Sequence, residues 1–227
     1  MKPLKCLFVL FCSSTILSMP VHAQIKAPDA STQGEASIQQ SWDLIKYQTP
    51  DKDAQIKSLQ ALEVRADSAA SANPANADLK IWDGIVYATD AGLSGGISAL
   101  SKVKKAKSLF EQALAIDEKA MNGGAHTSLG SLYYQVPGWP LAFGNDAKAE
   151  EHLKAALVIS PEDIDANYFY GDYLVHKKKY GEAISALEKA LKAPARPGRQ
   201  IADAGRRGEI QADLDLAKKN KNKSAYN

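Results

Sequence analysis

The sequence predicts an all-α protein built as a superhelical stack of antiparallel helix pairs with a C-terminal capping helix. Three observations carry this prediction. From about position 37 onward apolar residues recur three and four positions apart, and Pro or Gly interrupts the pattern at intervals. Segments of helix-pair length also resemble one another along the chain. Internal repetition of this kind is typical of stacked-repeat architectures, in which each unit buries its apolar face against its neighbours.

The first 23 residues have the pattern of a cleavable signal peptide. Lys2 and Lys5 precede an apolar run over 7–17, and small residues lead to Ala23. That run is about half the ~20 residues that a helix needs to cross a bilayer. We therefore expect cleavage after Ala23, a periplasmic or secreted location, and no membrane span.

Cleavage would remove both cysteines, Cys6 and Cys12. The remaining chain would have no disulfide and no Cys-based metal site, a composition that fits a bacterial periplasm. Removal of Lys2 and Lys5 from the 28 basic residues would also leave a formally neutral chain, because there are 26 acidic residues. A nucleic-acid partner is not expected, because it would need a concentrated basic face.

Three segments share one pattern of small and large residues. The first helix of each carries a glycine followed three positions later by a large residue, and the second helix carries an alanine followed four positions later by another large residue. The small residues allow close helix contact, and the large ones fill the remaining gaps. In chain order the sets are Gly84, Tyr87, Ala106 and Phe110; Gly130, Tyr133, Ala149 and Leu153; Gly171, Leu174, Ala183 and Leu187.

This pattern resembles the tetratricopeptide-repeat (TPR) family, which has Gly, an aromatic residue, Ala, Phe and Pro at these offsets. Two segments lengthen the earlier repeats beyond the usual period of ~34 residues: the Gly- and Ser-rich 91–100, and 135–145, which contains Pro-Gly-Trp-Pro. With them the chain is similar to bacterial periplasmic TPR proteins and, more loosely, to TPR proteins associated with TRAP-type solute transporters. The resemblance implies a protein-binding scaffold.

The pattern divides the chain into segments with the following expected roles. They are 1–23 signal peptide, 24–36 linker, 37–73 degenerate N-terminal helix pair, 74–120 repeat with insertion, 121–162 repeat with aromatic insertion, 163–197 repeat, 198–219 capping helix and 220–227 disordered tail.

Recognisable catalytic and cofactor motifs do not appear. His126, His152 and His176 lie on different predicted helices without metal-ligand spacing. The glycines at 92–96 are not followed by the Gly-Lys-Ser/Thr step of a phosphate loop, and a flexible insertion is the favoured interpretation. We expect neither enzymatic activity nor a bound metal or cofactor.

The first helix of each repeat lines the concave face of a TPR stack, so non-packing positions there become candidates for partner contact. These positions are Ile85, Thr89, Thr127, Ser131, Tyr134, Tyr168, Asp172 and His176. In the aromatic insertion, Trp139 and Phe143 either pack on the repeats, which is the favoured interpretation, or form part of a binding surface.

Two functional hypotheses follow from the sequence. The first is an exported scaffold that binds a peptide or protein segment in its concave groove. The alternative is a solute-binding accessory protein of a transporter, in which the aromatic insertion closes a pocket over a small apolar ligand. An enclosed cavity would favour the alternative, and an open groove would favour the scaffold.

Overall fold

A computed structural model of the protein describes residues 30–225. Within that range the chain forms nine α-helices and no β-strand beyond an isolated bridge between Gly138 and Gly144. The helices are α1 (Ala30–Gln48), α2 (Lys52–Ala72), α3 (Ala77–Ser94), α4 (Gly96–Ile116), α5 (Ala120–Gln135), α6 (Asp146–Ile159), α7 (Ile164–His176), α8 (Tyr180–Leu191) and α9 (Gln200–Ala225). The predicted all-α class is confirmed.

Several helices begin at a side chain that caps their first turn. Asp51, Asn76, Asn145 and Asp163 each accept a hydrogen bond from a backbone N–H two or three residues later. Such a cap satisfies a donor that has no partner within the helix. The sequence thus fixes the start of α2, α3, α6 and α7 locally.

The predicted packing of small against large residues is confirmed in all three repeats. A Cβ atom added to Gly130 would lie 2.6 Å from Cγ of Leu153. The equivalent position at Gly84 meets the Phe110 ring at 2.4 Å, and at Gly171 it meets Leu187 at 2.7 Å. Phe110, Leu153 and Leu187 are fully buried. Close packing therefore depends on the absence of a side chain at each glycine.

The helices form two layers. The even-numbered helices α2, α4, α6 and α8 each pack between two consecutive odd-numbered helices. The odd-numbered helices pack against one another in order, α1 on α3, α3 on α5, α5 on α7 and α7 on α9, and α9 packs in turn against α1. The inner layer is therefore a closed ring of five helices, whereas the sequence analysis predicts an open groove.

Polar contacts connect four of the five junctions in this ring. Trp42 Nε1 in α1 donates a 2.9 Å hydrogen bond to Thr89 Oγ1 in α3, and Tyr134 Oη in α5 donates a 2.6 Å bond to Asp172 Oδ2 in α7. Asp165 in α7 pairs with Arg206 in α9 at 2.6 Å. Asp43 in α1 pairs at 3.0 Å with Arg199, the residue before α9.

Three expected boundaries differ from the structure. Helix α1 begins at Ala30, inside the predicted linker, and α9 continues to Ala225, inside the predicted disordered tail. The predicted flexible insertion at 91–100 is almost entirely helical, with only Gly95 between α3 and α4. The end of α3 and the start of α4 are connected through Asp90. Its buried carboxylate accepts hydrogen bonds from Ser94 and Lys102. The predicted signal peptide lies outside the described residues.

Candidate functional site

The predicted groove residues are less accessible than the sequence predicts. Tyr134 is only 8% exposed and Thr127 is buried, so the expectation that these two positions do not pack is wrong. Ser131, Tyr168 and Asp172 are half-buried, and His176 is exposed. Tyr134 and Thr127 are buried because the inner layer closes into a ring. The face of each first helix, which would be open to solvent in an open stack, here contacts other helices of the inner layer.

Tyr134 and Asp172 form one hydrogen-bonded unit between α5 and α7. In addition to their hydrogen bond, the Tyr134 hydroxyl accepts a 3.2 Å bond from Gln135 Nε2, and its ring lies 5.8 Å from that of His176. Burial raises the pKa of Tyr134 well above its usual value, and the Asp172 carboxylate adds to that effect. Burial also raises the pKa of Asp172, while the hydrogen bond from Tyr134 opposes the rise.

Helix α9 covers the part of the concave face that α7 provides. The Arg206 guanidinium lies 4.3 Å from the centre of the Tyr168 ring and 4.8 Å from that of Phe169. Arg206 also pairs with Asp165 and Glu209, each at 2.6 Å. Although burial opposes ionisation, Arg206 and Arg196 hold the pKa of Asp165 well below its usual range. The capping helix therefore occupies the groove with a charged network that the sequence analysis did not predict.

The aromatic insertion forms a loop at residues 136–145, here named the Trp139 loop. Phe143 packs edge-on against Tyr133 at 5.7 Å, with Lys107 Nζ 5.8 Å from its ring centre. Trp139, however, is 90% exposed and Leu141 is 69% exposed. The predicted packing is thus confirmed for Phe143 and wrong for Trp139, because the turn over Gly138 directs the Trp139 side chain away from the repeats.

Backbone hydrogen bonds hold the Trp139 loop in one shape. Gly144 N donates to Pro137 O at 2.9 Å, Leu141 N to Gly138 O at 3.1 Å, and Asn145 N to Tyr133 O at 2.7 Å. The Trp139–Pro140 peptide bond is cis. The loop is therefore an ordered structure with two apolar side chains at its tip.

Two histidines that the sequence analysis treats as isolated lie side by side. His126 Nδ1 in α5 and His152 Nδ1 in α6 are 2.9 Å apart, and His126 Nε2 lies 3.2 Å from Glu118 Oε1. Burial lowers the pKa of His152, and the charge of His126 lowers it further. The antiparallel register of α5 and α6 is the signal that could have predicted this pair. Within the described part of the chain, no group of three or more His, Cys, Asp or Glu side chains has a metal-binding arrangement.

Two surface depressions of the described residues lie away from the predicted groove. One of about 450 Å³ lies between α1 and α2, lined by Ile38, Val64 and Ala69 among others. Another of about 570 Å³ surrounds the turn at Ala72–Asn76. Neither includes a predicted site residue. No helix within residues 30–225 has the length and apolar character required to cross a membrane.

Comparisons with known proteins identify a family. Two solved structures, titled "Crystal structure of MamA" and "Crystal structure of MamA protein", are each 19% identical to this chain. The first has a TM-score of 0.44, and its match covers 78% of this chain and 96% of the matched chain. The second has a TM-score of 0.40, and its match covers 86% of this chain and 96% of the matched chain. No curated protein matches. The sequence model of the family described as "TAtT: TRAP transporter T-component" matches residues 56–204. This match spans most of the chain, which therefore belongs to the TRAP transporter T-component family.

Proposed function

We propose that the protein acts outside the cytoplasm as an accessory component of a TRAP-type solute transporter, binding a protein component of that transporter without catalysing a reaction. The family match over residues 56–204 is the observation that carries the proposal. The expected signal peptide at 1–23 supports export, and the helix-pair architecture is one that commonly presents surfaces to protein partners.

The closed ring decides which kind of partner fits. A peptide in the concave groove would have to displace α9, whose Arg206 packs on Tyr168 and pairs with Asp165. A folded partner that docks on the edge of the stack needs no such displacement. We therefore assign binding to the outside of the ring, in place of the groove that the sequence analysis favours.

The solute-binding alternative requires a cavity that could enclose a small apolar ligand. The two depressions described above lie at α1, α2 and the turn at Ala72–Asn76, away from the Trp139 loop. The loop's own tip points outward, because Trp139 and Leu141 are exposed. It therefore does not close a pocket over a ligand, and the protein-binding role is the better supported of the two.

Binding is tested with protein purified from the periplasm of cells that express the full-length gene. This protein is titrated calorimetrically with the purified solute-binding component of a TRAP transporter from the same organism. We expect a saturable complex with Kd below about 100 μM. Absence of heat and of a co-eluting complex at that concentration would contradict the proposed function.

Export is tested separately by fractionation and N-terminal sequencing of the same protein. We expect it in the periplasmic fraction with Gln24 as its first residue, because Val21 and Ala23 match the small-residue pattern of signal-peptide cleavage sites. A chain that retains Met1 and stays in the cytoplasm would refute the proposed location.

A further inference from the structure

The tip of the Trp139 loop exposes two large apolar side chains, at positions 139 and 141, with Pro140 between them. Trp139 is 90% exposed and Leu141 is 69% exposed. A buried aromatic side chain typically removes ~150–250 Å² from water, so exposure on this scale forgoes a large favourable contribution. Single exposed apolar residues are common on protein surfaces. A tryptophan held almost completely outside the fold by an ordered loop is a different case and indicates a contact with another molecule.

The loop is already in the shape in which a partner would meet it. Three backbone hydrogen bonds fix its two ends and its turn, and Phe143 anchors it to Tyr133. Binding would therefore order few additional dihedral angles, and preorganisation of this kind favours affinity. Tryptophan is also enriched among the residues that dominate protein–protein binding energy.

The same edge of the stack carries further features of an interface. The α3–α4 turn lies at the same end as the Trp139 loop, because α3 and α5 are equivalent helices of adjacent repeats. Ile97, at that turn, is 89% exposed. The edge thus presents three exposed apolar side chains on neighbouring repeats.

Lysines flank the loop on the side of α6 and the α7–α8 turn. Lys177 contacts Asp146 at the start of α6, which places the α7–α8 turn beside the loop. Lys148 and Lys178 carry no ion pair with any residue in the described range. A partner with carboxylates around an apolar pocket would complement this arrangement.

We propose that the Trp139 loop is the docking element for the transporter's solute-binding component, with Trp139 and Leu141 inserted into an apolar pocket that has an acidic rim. This inference rests on the proposed function and adds the surface to it. A membrane surface fits less well. Interfacial binding uses a broad apolar helix face, whereas here the exposed apolar residues Trp139, Leu141 and Ile97 are confined to turns.

The test compares two substitutions in the loop with one matched control. Trp139→Ala and Leu141→Ala remove the exposed side chains, and Val158→Ala removes another exposed apolar side chain, 83% exposed, at the far end of α6. All three proteins should keep the circular dichroism spectrum and melting temperature of the wild type. We expect Trp139→Ala to weaken binding of the solute-binding component at least about 30-fold, Leu141→Ala to weaken it less, and Val158→Ala to leave it unchanged.

The outcomes separate failure of the surface from failure of the function. If the wild type binds and Trp139→Ala binds equally well, the docking assignment is wrong while the proposed function stands. If the wild type does not bind, both are wrong. Sedimentation with vesicles of 3:1 phosphatidylcholine and phosphatidylglycerol is the additional control: binding that Trp139→Ala abolishes there would replace the protein partner with a membrane. A charge reversal at Lys148 should slow association and make it less sensitive to salt.

Discussion

Arg199 donates a 3.0 Å hydrogen bond to Asp43 across 156 positions of sequence. Both side chains are largely buried, and the Arg199 guanidinium also lies 5.1 Å from the centre of the Trp82 ring. A second pair, Lys46–Glu209 at 3.2 Å, also joins α1 to α9. These contacts hold the first and last described helices together and close the inner ring.

Loss of the Asp43 carboxylate should therefore destabilise the whole fold. Asp43→Ala leaves the Arg199 charge buried without its partner, so we expect the free energy of unfolding in urea to fall by about 3–5 kcal/mol. The control is Glu188→Ala, which removes a surface pair with Lys218 at 3.7 Å and should cost at most about 1 kcal/mol. Equal effects of the two substitutions would refute the structural role of the ring closure.

Close packing at Gly130 gives a second prediction. The added methyl group of Gly130→Ala would overlap Leu153, so we expect a loss of about 1–3 kcal/mol in thermal or urea unfolding. Gly208→Ala in α9 is the matched control, because a Cβ atom there meets nothing within 4 Å. That substitution should stabilise by about 0.5–1 kcal/mol. If both variants became more stable, the space between α5 and α6 at Gly130 would be larger than the structure indicates.

The Tyr134–Asp172 hydrogen bond should contribute measurably to stability. Tyr134→Phe leaves the Asp172 carboxyl without its 2.6 Å donor, and we expect a loss of about 1–3 kcal/mol in urea unfolding. Tyr180→Phe serves for comparison, because within the described residues the Tyr180 hydroxyl has no hydrogen-bond partner. Stability should change little there. A neutral result for Tyr134→Phe would mean that water replaces the tyrosine at Asp172.

Two acidic side chains, Glu63 in α2 and Asp83 in α3, predict a decrease in stability with rising pH. Burial raises the pKa of Asp83 to about 7, and the neighbouring Asp67 carboxylate adds to the shift; burial likewise raises the pKa of Glu63 to about 7. The folded state therefore holds these protons where the unfolded chain, with carboxyl pKa values of about 4, has lost them. Their contribution is fully present below about pH 4 and is lost as the pH rises to about 7.

Asp83→Asn tests this dependence, because an amide does not titrate. The difference in unfolding free energy between wild type and variant, measured in urea from pH 4 to pH 8, should shift in favour of the variant as the pH rises. A difference that is independent of pH would contradict the raised pKa of Asp83.

The histidine pair predicts the opposite pH dependence, in which stability falls as the pH decreases. Burial and the nearby His126 lower the pKa of His152, so below the unfolded value of about 6.5 the unfolded chain binds a proton that the folded protein excludes. Stability from this site is present above about pH 6.5 and falls on acidification. His152→Gln should reduce the loss between pH 6.5 and pH 5 in the same urea assay. A loss that His152→Gln leaves unchanged would contradict the lowered pKa of His152.

The parts of the fold that could be predicted from sequence are those that repeat. Gly130 faces Leu153 for the same reason that Gly171 faces Leu187, so a spacing that recurs is enough to place both contacts. The Arg199–Asp43 contact occurs once, between segments that belong to no common repeat, and no periodic signal marks it. The repeat pattern therefore predicts an open groove and does not predict that Tyr134 is packed.

The Trp139 loop is a second feature that the sequence pattern does not predict. Its two aromatic residues are chemically similar, and burial is favourable for both, so composition predicts packing for each. The structure separates them because Gly138 and Pro140 turn the chain between Pro137 and Phe143, and only Phe143 faces Tyr133. Which side chain a short irregular turn directs inward depends on its backbone path, and helical periodicity carries no information about that path.

The contact between α1 and α9 also constrains how this protein can change in evolution. An open solenoid gains or loses a repeat at little cost, because each unit touches only its neighbours. Here the duplication or deletion of an internal helix pair would change the distance between α1 and α9, which the contact of Asp43 with Arg199 requires to stay the same. The contact between the first and last helices of the ring thereby fixes the number of repeats. New binding properties are more easily acquired by changes in the turns, such as the Trp139 loop, than by changes in the number of repeats.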